Sequence, residues 1–463
     1  MTQTASYDAI IIGAGQAGGP LSTTLAKAGW KTALIEREHV GGTCVNEGCT
    51  PTKTMVASAR IAYLARRSAD YGVRTDSVNV DMSRVRQRKR EIVQSFRSGS
   101  ERRIESTEGV DLLRGEARFI APKTIEVRLE RGEMRHLSAD TILLNNGARP
   151  STLAVRGIEK VQTLNSTSIM ELNGVPEHLL VSGGGYIGLE FGQMFHRFGS
   201  RVTVIQRGAH LLSREDDDVA DEVANILREE GLEILLETTP FHVEQVAAGH
   251  IQLSVHTPQG ERVIDGSHLL VATGRVPNSD SLNLEAAGVQ VDKRGFVQVN
   301  DRLETSVAGI YAMGDIKGGP AFTHISYDDF RILRSNLLEG GNASIGGRLV
   351  PYTVFIDPQL GRVGLSETEA RAQGRNIRVA RMPMSYVARA LEVDETRGFM
   401  KAIVDAETKE ILGCAILGLE GGEIMSILEV AMLGKLPYTA LRDAVFAHPT
   451  LAESLNNLFS TLD

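Results

Sequence analysis

The stretch "YDAIIIGAGQAGGPLSTTLAKAGWKTALIE", Tyr7 to Glu36, decides the fold. It opens on a short apolar run, turns at glycines, runs through a helical stretch to Gly29, and closes on a second apolar run, "KTALIE", that ends in an acid. Strand, glycine turn, helix and second strand make a βαβ unit. A second copy follows at "EHLLVSGGGYIGLEFGQMFHRFGSRVTVIQ", and it superposes in register, because 23 positions separate Gly13 from Glu36 and 23 separate Gly183 from Gln206. Each unit later returns to an apolar strand that ends at a glycine turn, "TILLNNGARP" after the first and "HLLVATGRVPN" after the second.

Working outward, the fold class is α/β: two Rossmann-like dinucleotide-binding domains, followed by an α+β C-terminal domain that contains the alternating strand "FMKAIVD" and the β-rich "EILGCAILG". With 463 residues the chain is too long for one core. Pro150 and Pro277 each remove a backbone donor, so domain boundaries are expected there, giving parts at 1–150, 151–277, 278–346 and 347–463. The formal net charge of −8 argues against nucleic acid as the main partner. No apolar run reaches the roughly 20 residues of a membrane helix. Three cysteines are too few for a secreted disulfide framework, and no signal peptide is visible in "MTQTASYDAIIIGAG", so a cytoplasmic protein is expected.

A strand followed by G-x-G-x-x-G and a helix aims backbone N–H groups and a helix N-terminus at a pyrophosphate, and the glycines allow close approach. Gly13, Gly15 and Gly18 satisfy the pattern, as do Gly183, Gly185 and Gly188. The acid that ends the second strand of such a unit accepts ribose hydroxyls. Glu36 holds that position in the first unit, whereas the second has Gln206 followed by Arg207. Loss of the acid removes repulsion toward a 2′-phosphate and Arg207 supplies a cation for it, which favours NADPH over NADH.

Between the two units, "GGTCVNEGCTPTK", Gly41 to Lys53, sets Cys44 and Cys49 five positions apart. Thr43 is expected to cap a helix that starts at the cysteines, where aligned peptide dipoles stabilise a thiolate. Thiols about one and a half turns apart come within disulfide reach if the first turns are distorted, and Pro51 is a source of that distortion. A structural zinc site lacks ligands, since His39 is the only nearby imidazole, so no metal is expected. Cys414 reads as a small buried core residue. The arginine-dense "SRVRQRKREIVQSFRSGSERRI", Ser83 to Ile104, reads as a solvated amphipathic helix with Val85, Ile92, Phe96 and Ile104 on its apolar face, and no function is assigned to it.

With these motifs, and with "ATGRVPN" at 272–278, "TSVAGIYAMGD" at 305–315 and "HPTLAE" at 448–453, the chain resembles the FAD-dependent pyridine nucleotide–disulfide oxidoreductases, the family of lipoamide dehydrogenase, glutathione reductase and mercuric reductase. The resemblance covers nearly the whole chain. It implies a homodimer with an active site shared across subunits, in which each subunit has an FAD domain, an NAD(P) domain, a central domain completing the FAD site and a C-terminal dimerisation domain. Glu36 would hold the FAD ribose, Asp315 the ribityl chain, and Gly42, Thr43, Gly147 and Thr323 would line the flavin cofactor, while Gly274 would join Gly183, Gly185 and Gly188 around NAD(P). Cys49 would be the thiol nearest the flavin and Cys44 the one that attacks substrate. Lys53 would sit near the flavin and pair with Glu190, Tyr186 would gate the nicotinamide, and His448 with Glu453 would be the acid–base pair supplied by the partner subunit.

The implied reaction passes electrons from NAD(P)H through FAD and a Cys44–Cys49 disulfide to a disulfide substrate. "GGTCVNEGCTPTK" and "NNGARP" look most like mercuric reductase. Two departures oppose that identity: the C-terminus "NLFSTLD" lacks the vicinal cysteines that relay Hg(II), and His448 stands where mercuric reductases have a tyrosine. Reduction of Hg(II) or Cu(II), and dihydrolipoamide oxidation in the reverse direction, stay open as alternatives. The disulfide itself, small or borne by a protein, has no signature in the sequence.

Overall fold

The computed structural model describes residues 4–463. The chain forms two compact units: the first combines the residues up to Met55 with Ser83–Ser151 and Gly274–Arg348, and the second combines Val56–Met82, Thr152–Thr273 and Leu349–Asp463.

In the first unit the strands Ala9–Ile12, Thr32–Glu36 and Thr141–Leu144 are parallel neighbours, and Ile310–Ala312 pairs in parallel beyond Thr141–Leu144. Ile10, Ile11, Leu34, Leu143 and Leu144 are fully buried, as parallel strands covered on both faces require. Val110–Ala121 continues the sheet beside Thr32–Glu36 and then turns into an antiparallel meander with Thr124–Leu129 and Met134–Ser138. Helix Gly18–Lys27 connects the first two strands.

The second unit repeats the arrangement with strands Glu233–Leu235, Arg201–Ile205, His178–Ser182 and His268–Val271, in that order and all parallel. The repetition extends to single hydrogen bonds: Gly13 N–H donates to the Ile35 carbonyl at 2.8 Å and Gly183 N–H to the Ile205 carbonyl at 2.9 Å. A three-stranded antiparallel sheet and a five-stranded antiparallel sheet complete the unit, the latter running Tyr352–Val354, Gln359–Gly364, Ile411–Gly418, Phe399–Asp405, Ile377–Pro383. Cys414 is fully buried in that sheet, where burial pushes its thiol up to about 12 and leaves it inert at neutral pH.

Ala148–Pro150 and Arg275–Pro277 form a two-stranded antiparallel ladder, and each proline ends its strand, the place a missing donor is tolerated. The chain rejoins the first unit at Gly274. Two local expectations are corrected. Thr43 is not a cap: Gly41, at φ 101°, is the N-cap residue of the short helix Gly42–Asn46, which starts two residues earlier than a Thr43 cap would place it. Phe96 does not face the core. Helix Met82–Glu105 buries Met82, Lys89, Val93 and Ile104, and Phe96 stays 57% exposed because the spacing alone left the centre of the apolar stripe free by one position. Among the described residues no helix is long and apolar enough to cross a membrane.

Candidate active site

The first glycine loop is a cradle that only glycine fits. Gly13 sits at φ +101°, and a Cβ on Gly18 would lie 2.1 Å from the Gly13 carbonyl oxygen, so helix Gly18–Lys27 starts closer to the strand than any side chain permits. A Cβ on Gly188 would meet Gly183 at 2.0 Å, the same approach in the second unit. Glu36 braces the first loop by accepting from Ala14 N–H and Glu38 N–H, each at 2.8 Å, and a carboxylate retains lone pairs for sugar hydroxyls beyond those two bonds.

Asn145, which the sequence reading quoted within "NNGARP" without singling it out, ties this loop to a second one. Its Oδ1 accepts from Gly18 N–H at 2.8 Å and its Nδ2 donates to the Met313 carbonyl at 3.0 Å, both bonds buried. A polar residue ending a fully buried strand was the available signal. Met313 leads into Asp315, whose turn is held from below by Asp329, itself fully buried. Asp329 accepts from Gly314 N–H at 2.8 Å and is paired to Lys317 and Arg348. Burial raises the Asp315 carboxyl above its ordinary range, against the pull of Arg275 and Lys317. Arg275 Nε stands 3.9 Å from Asp315 Oδ2 and is buried without a hydrogen-bond partner among the described residues. A hydroxyl-rich chain threading from the glycine cradle to Asp315 supplies what these two groups lack, so the residues present fit FAD. Replacing Asn145 with Ala strands Gly18 N–H and the Met313 carbonyl, at about 1–3 kcal/mol per unsatisfied group. The expected result is about tenfold or weaker FAD retention and a lowered melting temperature, read by flavin fluorescence released during filtration and by calorimetry.

Cys44 and Cys49 are carried by consecutive helices, Gly42–Asn46 and Cys49–Arg66. Gly42 brings the first against the glycine loop, since its Cβ would fall 2.8 Å from Gly15 Cα. The thiols are hydrogen-bonded to each other, and that bond, followed by burial and by negative charge on Cys49, pushes the Cys44 thiol far above its ordinary value. Cys49 is the opening residue of an 18-residue helix, where the dipole favours a thiolate. Thr323 Oγ1 lies 3.4 Å from Cys49 Sγ, and both Thr323 and the Lys53 ammonium draw the Cys44 value back down. Gly147, at φ 66°, closes the turn after Asn145 and Asn146.

In the second unit Gln206 is engaged inside its own loop: Oε1 accepts from Gly184 N–H at 3.0 Å and Nε2 donates to the His210 carbonyl at 3.1 Å. Arg207 beside it is exposed. Tyr186 opens helix Tyr186–Phe198, with Gly185 as its N-cap residue, and Glu190 on that helix is 3% exposed and accepts from Phe355 N–H at 2.9 Å. Gly274 belongs to the first unit, where its carbonyl accepts from Ser151 N–H at 3.0 Å. His448 and Glu453 form a pair, with Nδ1 2.9 and 3.0 Å from the two carboxylate oxygens, and the His448 side chain is 73% exposed, leaving Nε2 outward. Among the described residues no group of three or more His, Cys, Asp or Glu side chains is arranged to hold a metal ion.

Comparison with known proteins places these features together. Residues 7–329 match the pyridine nucleotide-disulphide oxidoreductase family and residues 350–459 match its dimerisation domain. The chain is 40% identical over 458 residues to a probable pyridine nucleotide-disulfide oxidoreductase RclA of Escherichia coli (strain K12), covering 98% of this chain and 99% of that protein. It is 36% identical over 459 residues to a mercuric reductase of Lysinibacillus sphaericus, covering 99% of this chain and 83% of the relative. Among solved structures, the Cu(II) complex of the HOCl-induced flavoprotein disulfide reductase RclA from Escherichia coli superposes with a TM-score of 0.91 at 38% identity, over 99% of this chain and 100% of that one.

Proposed function

This chain belongs to the pyridine nucleotide-disulphide oxidoreductases, and from that premise we propose that it is an NADPH-preferring reductase of a disulfide substrate, worked by Cys44 and Cys49. The carrying observation is the pair of neighbouring thiols on consecutive helices beside the first glycine loop, with the Thr323 hydroxyl 3.4 Å from Cys49 Sγ. FAD, when bound, takes hydride equivalents from the nicotinamide and hands electron pairs to sulfur. Glu36, Gly13, Gly15, Gly18, Gly42, Thr43, Asn145, Gly147, Asp315 and Thr323 would hold that cofactor. Lys53 and the Thr323 hydroxyl keep negative charge on the sulfurs affordable. Cys44, once deprotonated, attacks the substrate disulfide; Cys49 then resolves the mixed disulfide. His448 Nε2, oriented by the Nδ1 bond to Glu453, takes the Cys44 proton and returns it to the leaving thiol, acting in the partner subunit.

The domain reading supports this division of labour: 1–150 for FAD, 151–277 for NAD(P), 278–346 completing the FAD site and 347–463 for dimerisation. Val430, Leu433 and Val445 are 67%, 67% and 101% exposed in the last part, an apolar surface suited to a second copy of the chain. A reducing cytoplasmic setting suits a thiol couple that must be regenerated.

The coenzyme preference rests on Arg207 next to an uncharged Gln206. Arg207→Ala is expected to raise the KM for NADPH about tenfold or more while leaving that for NADH within about twofold, the loss of one charge-assisted contact to a phosphate. Steady-state kinetics with both coenzymes check it. The function as a whole is tested by anaerobic NADPH and NADH titration of the purified yellow protein, followed by disulfide turnover. A protein that is colourless and retains no added flavin overturns it.

One observation favours a second reading. A related reductase has been solved in complex with Cu(II), and two adjacent thiols suit a soft or reducible metal ion as substrate.

A further inference from the structure

Helix Met82–Glu105 carries eight Lys or Arg and three Glu, a surplus of +5 in a chain whose net charge is −8. Most of its cations are spoken for. Arg88 donates to the Thr54 carbonyl at 2.9 Å on the helix that begins with Cys49, and Arg84 pairs with Glu91. Arg97 differs. Its Nε donates to Asn46 Oδ1 at 2.7 Å, and Asn46 in turn donates to the Val40 and Gly42 carbonyls at 3.0 and 2.9 Å. Those bonds fix the guanidinium to the five-residue helix that bears Cys44 two positions before Asn46, and a helix of that length spans about 7.5 Å. The two Nη groups of Arg97, part-buried, take no partner among the described residues. A guanidinium anchored by one edge and open at the other is a receptor for a carboxylate, and the remaining surplus charge on the helix draws anions to it.

We propose that Arg97 is a substrate-recognition residue and that the acceptor for Cys44 is a small disulfide bearing carboxylates. The inference rests on the disulfide-reductase reading. The carboxylate seats on the Arg97 Nη groups and turns the disulfide toward the Cys44 thiolate. The Cys44 sulfur bonds to one substrate sulfur as the substrate S–S bond breaks, and the released thiolate takes up a proton. The Cys49 thiolate then bonds to Cys44, releasing the second thiol. The substrate has gained two electrons and two protons, the couple is oxidised to a disulfide, and NAD(P)H restores it through the flavin.

The test compares three aliphatic disulfides of matched reactivity: dithiodipropionate with two carboxylates, neutral hydroxyethyl disulfide, and cystamine with two ammonium groups. The wild-type holoenzyme is expected to show kcat/KM about tenfold or more higher for the dicarboxylate than for the neutral compound, with cystamine lowest, and the anion's advantage shrinks as salt rises. Arg97→Gln brings the dicarboxylate-to-neutral ratio close to one, and Arg97→Lys leaves it in between. Flavin content and the rate of flavin reduction by NADPH are measured alongside, because a merely structural brace at Asn46 lowers all three disulfides together. Such a uniform fall overturns the proposal, as does a wild-type enzyme with no preference for the anion, which needs no variant to detect. Failure to turn over any of the three overturns the disulfide-reductase reading and this inference with it, whereas turnover blind to charge overturns the inference alone.

Discussion

Serine in place of either Cys44 or Cys49 lowers NAD(P)H-driven disulfide reduction by about 10³-fold or more, the scale on which loss of a covalent nucleophile registers. Neither variant can close the internal disulfide, so neither can complete a cycle. The two are nonetheless expected to differ before any substrate is added. Cys44→Ser removes the partner whose proton is held in place by its bond to Cys49, and leaves a sulfur at the first position of an 18-residue helix, next to the Thr323 hydroxyl at 3.4 Å. That sulfur keeps every feature that favours a thiolate except the neighbouring thiol. The oxidised Cys44→Ser protein should therefore show a long-wavelength thiolate–flavin absorption without reductant, and lose it on acidification as the sulfur protonates. Cys49→Ser should show none at any pH, since on the proposed reading it removes the sulfur that lies next to the flavin. Equal spectra from the two variants would overturn that assignment of the two thiols.

How much of this was open to reading from the sequence depends on whether the partners of a residue are near it in the chain. The glycine loops were legible because strand, turn and helix adjoin, and because the requirement for glycine arises within five residues, where the Gly18 position abuts Gly13. The cysteine pair was legible for the same reason. Asn145 was not, since its two partners lie 127 and 168 positions away and only the folded sheet brings Gly18 and Met313 to one side chain. Asp329 and Arg97 share that difficulty: each is an ordinary charged residue on a helix until the chain folds a glycine N–H or an asparagine carbonyl against it. The Thr43 cap and the Phe96 face went astray through short-range rules applied where a stronger one operates. Two glycines with positive φ override a capping side chain, and a helix with eight cations offers too few apolar residues to fix which stripe turns inward.

His448→Gln separates the two chemistries that the site admits. Glutamine keeps a polar side chain of similar reach beside Glu453 but neither accepts nor returns a proton, and general acid–base catalysis by a positioned imidazole is worth about 10²–10⁴-fold. Thiol–disulfide exchange needs that transfer twice, once to uncover the Cys44 thiolate against its raised value and once to protonate the leaving thiol. Disulfide turnover is expected to fall by about 10²-fold or more, with flavin reduction by NADPH unchanged in stopped-flow measurements. Reduction of Cu(II) or Hg(II) by the same dithiol releases no thiol that must be protonated, so metal-stimulated NADPH oxidation in the variant should stay within about tenfold of the parent, less than the acid–base contribution. Glu453→Gln should act in the same direction more weakly, because it removes the carboxylate 2.9 Å from Nδ1 without removing the ring. If disulfide turnover survives His448→Gln while metal reduction collapses, the imidazole serves the metal and the disulfide reading of this site is wrong. If both survive, the proton goes elsewhere and His448 has no part in the chemistry.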